Sequence, residues 1–238
     1  MGLKHNKESK DLIVFFHGLG CTQESFKYIF NYPDFAKYSL LLIDFIGFGK
    51  SSKPEEFSYT MEEQARICEL LLETFPKMKI HIVAHSMGGA VPLLFYNELY
   101  PRIISFANIE GNLIAADCEM LSRPIVNAGY EKYRDELFEK QRNDFAQFEG
   151  LKFDETTPHA MYLSAKSLVE WSDSNILLEK FKSLKCKKAY FYGEKNKSME
   201  VLNEVNDIEK IMISNSGHSM MLENHVDFYT KLYKFIFS

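Results

Sequence analysis

The sequence predicts an α/β protein with a mainly parallel sheet of about six strands flanked by helices. Three observations carry this. Short apolar runs alternate with amphipathic stretches of helical length. The strongest runs, Leu12-Ile13-Val14-Phe15-Phe16 and Leu40-Leu41-Leu42-Ile43, are apolar at every position, as strands covered on both faces are. The run Ile80 to Val83 breaks at once into Ala84-His85-Ser86-Met87-Gly88-Gly89-Ala90, a strand-to-helix corner crowded with small residues. Strands joined through helices imply right-handed crossovers and parallel pairing.

Leu12–Phe16 is the first strong strand, and His17-Gly18-Leu19-Gly20 is the turn after it. Residues 22–31 have the composition of a helix. Ser39–Ile43 is a second strand, ending at Asp44. Thr60-Met61-Glu62-Glu63 has capping-box spacing, and Ile67, Leu70, Leu71 and Phe75 follow at helical intervals, so 60–75 is a helix. The strand over 79–85 and a helix over Ala90–Tyr100 come next, then a strand over Ile103–Ile109. Residues 113–180 change the rhythm. They hold charge-laced helical segments rich in aromatics and no good strand, and are expected to form a helical insertion within one domain spanning 1–238. Alternation then returns with strands over Ala189–Tyr192 and Ile208–Ile213 and a last helix over Val226–Phe237.

A hydrophobic content of 46% and a charged content of 26% fit a folded domain with its own core. The formal net charge of −5, with both signs interspersed, argues against nucleic acid or an acidic membrane surface as the main partner. Four scattered cysteines (Cys21, Cys68, Cys118, Cys186) suggest neither zinc ligation nor a disulfide framework. No metal or cofactor is implied. The first residues lack the apolar core of a signal peptide, Lys7 stands where a myristoylation signal wants Ser or Thr, and no apolar run reaches the about 18 residues of a spanning helix. A cytoplasmic location is expected. Oligomeric state is not legible.

The corner at Ser86 is where chemistry is expected. A serine flanked two positions away on each side by small residues, Ala84 and Gly88, fits a tight turn that lifts the hydroxyl to the carboxyl end of a sheet. There the amide of Met87 can face a developing oxyanion, and the glycine-rich turn after the first strand can bring the amide of Leu19 to the same point. His218, in Ser216-Gly217-His218-Ser219 before the last helix, follows the serine in chain order and fits an imidazole that takes its proton. His85 is expected to pack. Gly49-Lys50-Ser51 invites a phosphate-loop reading, but that loop needs a glycine where Asp44 stands.

With His17-Gly18, Asp44…Gly47-Phe48-Gly49…Ser51, Ala84-His85-Ser86-Met87-Gly88-Gly89 and Gly217-His218 all in order over residues 12–237, the chain resembles the α/β-hydrolase superfamily, in its lid-bearing serine branch. The resemblance implies an ester, thioester or activated carbon–carbon bond as substrate, with Ser86 as nucleophile, His218 as base, Leu19 and Met87 at the oxyanion, and 113–180 as lid. His17, Gly18, Tyr130, Met161 and Trp171 are expected to contact a small, largely apolar substrate. The chain departs from the family in having few residues before the first strong strand and in its acid. In the family's usual Gly-x-x-Asp pattern, Gly193-Glu194-Lys195-Asn196 carries an amide. Some relatives carry the acid after the strand that follows the elbow helix, which here points to Glu110, with Asp117 and Glu194 behind it. Asn196 is then expected to be dispensable. An aminopeptidase or carbon–carbon bond hydrolase of the same fold, or a non-catalytic ligand binder, are the alternatives.

Overall fold

The computed structural model describes residues 2–96 and 98–238. Seven strands form one sheet: β1 (Gly2–Lys4), β2 (Asp11–Phe16), β3 (Ser39–Ile43), β4 (Lys79–His85), β5 (Ile103–Ile109), β6 (Lys187–Gly193) and β7 (Glu209–Ile213), in the order β1-β3-β2-β4-β5-β6-β7. Six pair in parallel. The three-residue β1 lies antiparallel on β3. The parallel strands have the expected number, and what precedes the first strong strand is this short edge.

Side chains alternate across the sheet, so each strand feeds two cores. Val14, Phe16, Leu41, Ile80, Ile82 and Ala84 join the core on one face with Met61, Ala65, Cys68 and Leu72 of α1 (Met61–Glu73). Ile13, Phe15, Leu40, Leu42, Val83 and Ile109 meet Phe26 and Ile29 on the other face, with Phe228, Leu232 and Phe235 of the last helix, His225–Phe237. The Thr60 hydroxyl accepts from the Glu63 N–H at 3.3 Å and caps α1.

Two expected helices differ. Residues Gln23–Asn31 form a 3₁₀ helix. The helix expected over Ala90–Tyr100 is instead α2 (Met87–Ala90), a single 3₁₀ turn at Val91–Leu94, and extended backbone at Phe95; residue 97 of that stretch lies outside the described residues. Pro92 has no N–H to continue the α ladder, and the Glu69 carboxylate takes the Tyr96 N–H from outside.

Between β5 and β6 the chain forms α3 (Ser122–Ala128), α4 (Tyr130–Lys132), a π-helical turn (Tyr133–Leu137), α5 (Phe138–Phe145), α6 (Pro158–Asp173) and α7 (Ile176–Ser183), with no strand among the described residues. This segment is fastened to the body at several points. Thr156 Oγ1 donates to Gly47 O at 2.8 Å, the Lys152 N–H to Gly20 O at 2.7 Å, and the Met61 N–H to Ser167 Oγ at 3.0 Å. Among the described residues no helix is long and apolar enough to cross a membrane.

Register decides where a site can be. Phe16 pairs with Ala84, His85 with Ile109, Ile109 with Phe191, and Gly193 with Ile213. The turns after β2, β4, β5, β6 and β7 therefore leave the sheet along one carboxyl edge, where open α/β sheets gather their ligands.

Candidate active site

The corner after β4 is tight enough to force Ser86 to φ 53° and ψ −124°, a region that side-chain-bearing residues rarely enter. Ser86 is held there by its N–H donating to Ile109 O at 3.1 Å, and its carbonyl accepts from the Gly89 N–H at 2.8 Å and the Asn112 N–H at 3.3 Å. The small residues around it are steric requirements. A Cβ at Gly88 would lie 2.6 Å from the carbonyl oxygens of both Phe16 and His17, and one at Gly18 would lie 2.9 Å from Ser86 Cβ. Gly88→Ala is accordingly expected to lower the urea midpoint by the equivalent of about 1–3 kcal/mol. Activity should fall as well, because relief requires β2 or Ser86 to move. A variant with wild-type stability and rate would show that the corner is looser than its contacts.

His218 sits on the loop between β7 and α8 (Met220–Glu223), a loop braced from below. The Gly217 and Ser219 N–H groups donate to Glu223 Oε2 and Oε1 at 3.0 and 3.2 Å. The Asn215 N–H donates to Glu194 Oε2 at 2.8 Å, and Ser216 Oγ donates to Ile213 O at 2.9 Å. His218 Nδ1–H is directed at Glu110 Oε2, 2.7 Å away.

The three carboxylates that the sequence leaves open occupy different places. Glu110 directly follows β5, with φ 41° and a fully buried side chain. Besides His218, its Oε1 accepts from the Gly193 N–H at 2.8 Å, and Asn196 Nδ2 donates to both oxygens at 3.0 and 2.9 Å. A buried carboxylate is tolerable only when hydrogen-bonded in this way. Glu194 is spent on Asn215. Asp117 Oδ2 accepts from the Leu113 and Ile114 N–H groups at 2.8 and 3.0 Å, and burial pushes its carboxyl up to about 6. Asn196 does not stand idle: it is a donor to Glu110, a contact that argues against its being dispensable.

His85 is buried, with its Nε2–H donating to His218 O at 3.0 Å and its ring 4.6 Å from that of His218. Burial, with the neighbouring His218 charge adding to it, holds the His85 pKa well below the ordinary imidazole value. It stays neutral when His218 takes a proton.

Ser86, His218 and Leu19 open on one cavity of about 310 Å³, whose walls also include Cys21, His85, Asn112, Asp117, Ser122, Ser219, Glu223 and apolar side chains of the segment between β5 and β6. Those side chains are Met120, Leu121, Phe145, Phe148 and Leu151. The expected contacts Tyr130, Met161 and Trp171 are not among the lining residues. Tyr130 packs on Tyr162 and His159, Met161 is wholly buried beneath Gly20, and Trp171 packs into the core under α6. His17 and Gly18 do not reach the cavity either. His17 accepts the Phe45 N–H on Nε2 at 3.1 Å and donates from Nδ1 to Gly18 O at 2.8 Å. Burial holds it down to about 4, a neutral brace between two turns. Met87, wholly buried, starts α2.

Residues 11–154 match the family described as alpha/beta hydrolase fold. The chain belongs to the α/β-hydrolase family. Solved α/β-fold structures superpose over nearly the whole chain at low identity. The esterase EaEST from Exiguobacterium antarcticum has a TM-score of 0.72 at 16% identity, covering 97% of this chain and 93% of its own. MenH from S. aureus has 0.71 at 16%, covering 99% and 97%. At that identity the likeness is one of fold. Among curated proteins, the probable lysophospholipase BODYGUARD 2 of Arabidopsis thaliana is 36% identical over 95 residues, 38% of this chain and 20% of that protein. Lipase 1 of Psychrobacter immobilis is 35% identical over 91 residues, 38% of this chain and 28% of that protein. The matched stretch thus spans between a fifth and a third of the length of these curated relatives.

Proposed function

We propose that this α/β-hydrolase is a serine hydrolase of the carboxylesterase kind, cleaving an ester or thioester of a small, largely apolar acyl group. The observation that carries the reading is the Glu110–His218 pair at 2.7 Å, whose imidazole lines one largely apolar cavity with Ser86. Relatives named probable lysophospholipase and lipase support the reaction class.

Ser86 Oγ attacks the acyl carbon and His218 Nε2 takes its proton. Because Nδ1–H is committed to Glu110, the basic lone pair of the neutral ring is on Nε2, and the buried carboxylate stabilises the imidazolium that forms. The amides of Leu19 and Met87 hold the oxyanion. His218 returns the proton to the leaving group, and water, activated by the same imidazole, releases the acyl-enzyme. Residues 113–180 act as the lid, since Met120, Leu121, Phe145 and Phe148 supply the apolar wall. The four cysteines are unpaired, which agrees with a reducing cytoplasm.

At about 310 Å³ the cavity is at the small end of ligand pockets, which span roughly 300–1,000 Å³. Short acyl chains should be turned over best. In a panel of p-nitrophenyl esters, kcat/KM is expected to peak at short chains, and Phe148→Ala, which removes wall without touching Ser86 or His218, should move the peak to longer ones. Labelling by a fluorophosphonate should map to Ser86. A purified protein that neither labels nor turns over any ester is a binder rather than a hydrolase.

A further inference from the structure

The cavity wall contains a carboxylate that its own surroundings leave half satisfied. Asp117 Oδ2 takes the two N–H groups of Leu113 and Ile114. Among the described residues Oδ1 accepts no hydrogen bond and no Lys or Arg pairs with the group. The cation nearest in sequence, Arg123, is bound to Glu119, Asp173 and Ala115 O. Nor is Asp117 remote from the nucleophile. The Asn112 N–H donates to Ser86 O, and Asn112 Nδ2 donates to Asp117 O at 3.0 Å, so one residue ties the Asp117 turn to the elbow. The other carboxylate lining the cavity, Glu223, is consumed by Lys195 and the amides of Gly217 and Ser219. Asp117 therefore lines a largely apolar cavity with one acceptor oxygen that no described residue meets.

We propose that Asp117 selects the acyl group: the cavity takes acyl chains that are neutral or carry a hydrogen-bond donor, a hydroxyl or an ammonium, and rejects acyl chains that carry a carboxylate. Asp117 is half-buried, and an occupant that displaces water from its free oxygen must supply a donor in its place. A second anion there adds like-charge repulsion to its own desolvation. Burial likewise raises the Asp117 pKa, with Glu110 adding to it and the Leu113 and Ile114 amides and His218 opposing. The proposal rests on the serine-hydrolase reading, and deepens it by naming a substrate class.

The test uses three methyl esters of equal backbone length, followed by titration of released acid at pH 8: methyl butyrate, methyl 3-hydroxybutyrate and monomethyl succinate. Only the acyl group differs, so demands on Ser86, His218 and Glu110 cancel in the ratios of kcat/KM. The wild type is expected to favour 3-hydroxybutyrate over butyrate, and butyrate over succinate by on the order of tenfold or more. Asp117→Asn keeps an oxygen for the Leu113 and Ile114 amides and turns an NH₂ towards the cavity. It should shrink the butyrate-to-succinate ratio by about tenfold. An unchanged ratio in a folded Asp117→Asn protein overturns the proposal. So does equal use of butyrate and succinate by the wild type, which decides the matter even if the variant fails to fold. Turnover of none of the three, together with no fluorophosphonate labelling, would instead remove the hydrolase reading itself.

Discussion

Ser86→Ala is expected to lose ester hydrolysis by several powers of ten while the protein stays folded. The loss is that large because nucleophile and base act as a unit, and only the oxyanion donors and binding remain when one is removed. The measurement is kcat/KM on the best p-nitrophenyl ester, with circular dichroism to show the sheet intact. Near-wild-type turnover by the folded variant would mean that another group attacks. The same position makes a second, opposite-looking demand. At φ 53° and ψ −124° Ser86 occupies backbone space natural to glycine, at a cost of about 1–3 kcal/mol. Ser86→Gly relieves that strain, offset by about 0.4–1 kcal/mol of added freedom in the unfolded chain. It should therefore melt higher than Ser86→Ala, although both are inactive. A Ser86→Gly protein that melts lower than Ser86→Ala would show that the corner is not strained.

How legible all this is in the sequence depends on what kind of constraint each residue answers to. Backbone sterics read well. The corner at Ala84–Gly88 needs small residues because Gly88 presses on the carbonyls of Phe16 and His17, and no packing elsewhere can relax that. The strands β2 and β3 read well too, because they are buried on both faces and so are apolar almost throughout. What resists reading is orientation within short helices. In α3 to α7, whether an aromatic faces the cavity or the insertion's own interior depends on how pieces of three to sixteen residues dock. So Phe145 and Phe148 line the cavity while Tyr130 and Trp171 pack away from it. Polar bracing is legible only with hindsight. His17 beside a glycine-rich turn suggests a substrate contact, yet its two nitrogens are both consumed by backbone groups.

Glu110→Gln is expected to cost about ten-thousand-fold, the scale on which an amide in place of a triad acid leaves the histidine in the wrong tautomer. The hydrogen bonds around Glu110 say why this amide could not adapt. Its Oε1 faces the Gly193 N–H and Asn196 Nδ2, both donors. A glutamine must turn its oxygen towards them and its NH₂ towards His218 Nδ1. Nδ1 then accepts, the proton moves to Nε2, and the nitrogen facing Ser86 is no longer basic. The reverse orientation would set NH₂ against two donors. Asn196→Ala removes donors to a buried charge without altering that charge, and bonds of this kind are worth about 1.5–3 kcal/mol. It should lose on the order of tenfold to a hundredfold, between wild type and Glu110→Gln. In the double variant Glu110→Gln with Asn196→Asp, the new carboxylate accepts from the glutamine NH₂ and frees its oxygen for His218 Nδ1–H. A partial recovery of about tenfold or more is expected, limited by the Gly193 N–H that then meets a donor. Should folded Glu110→Gln keep more than a tenth of wild-type kcat/KM, the carboxylate at the end of β5 is not the partner on which His218 depends.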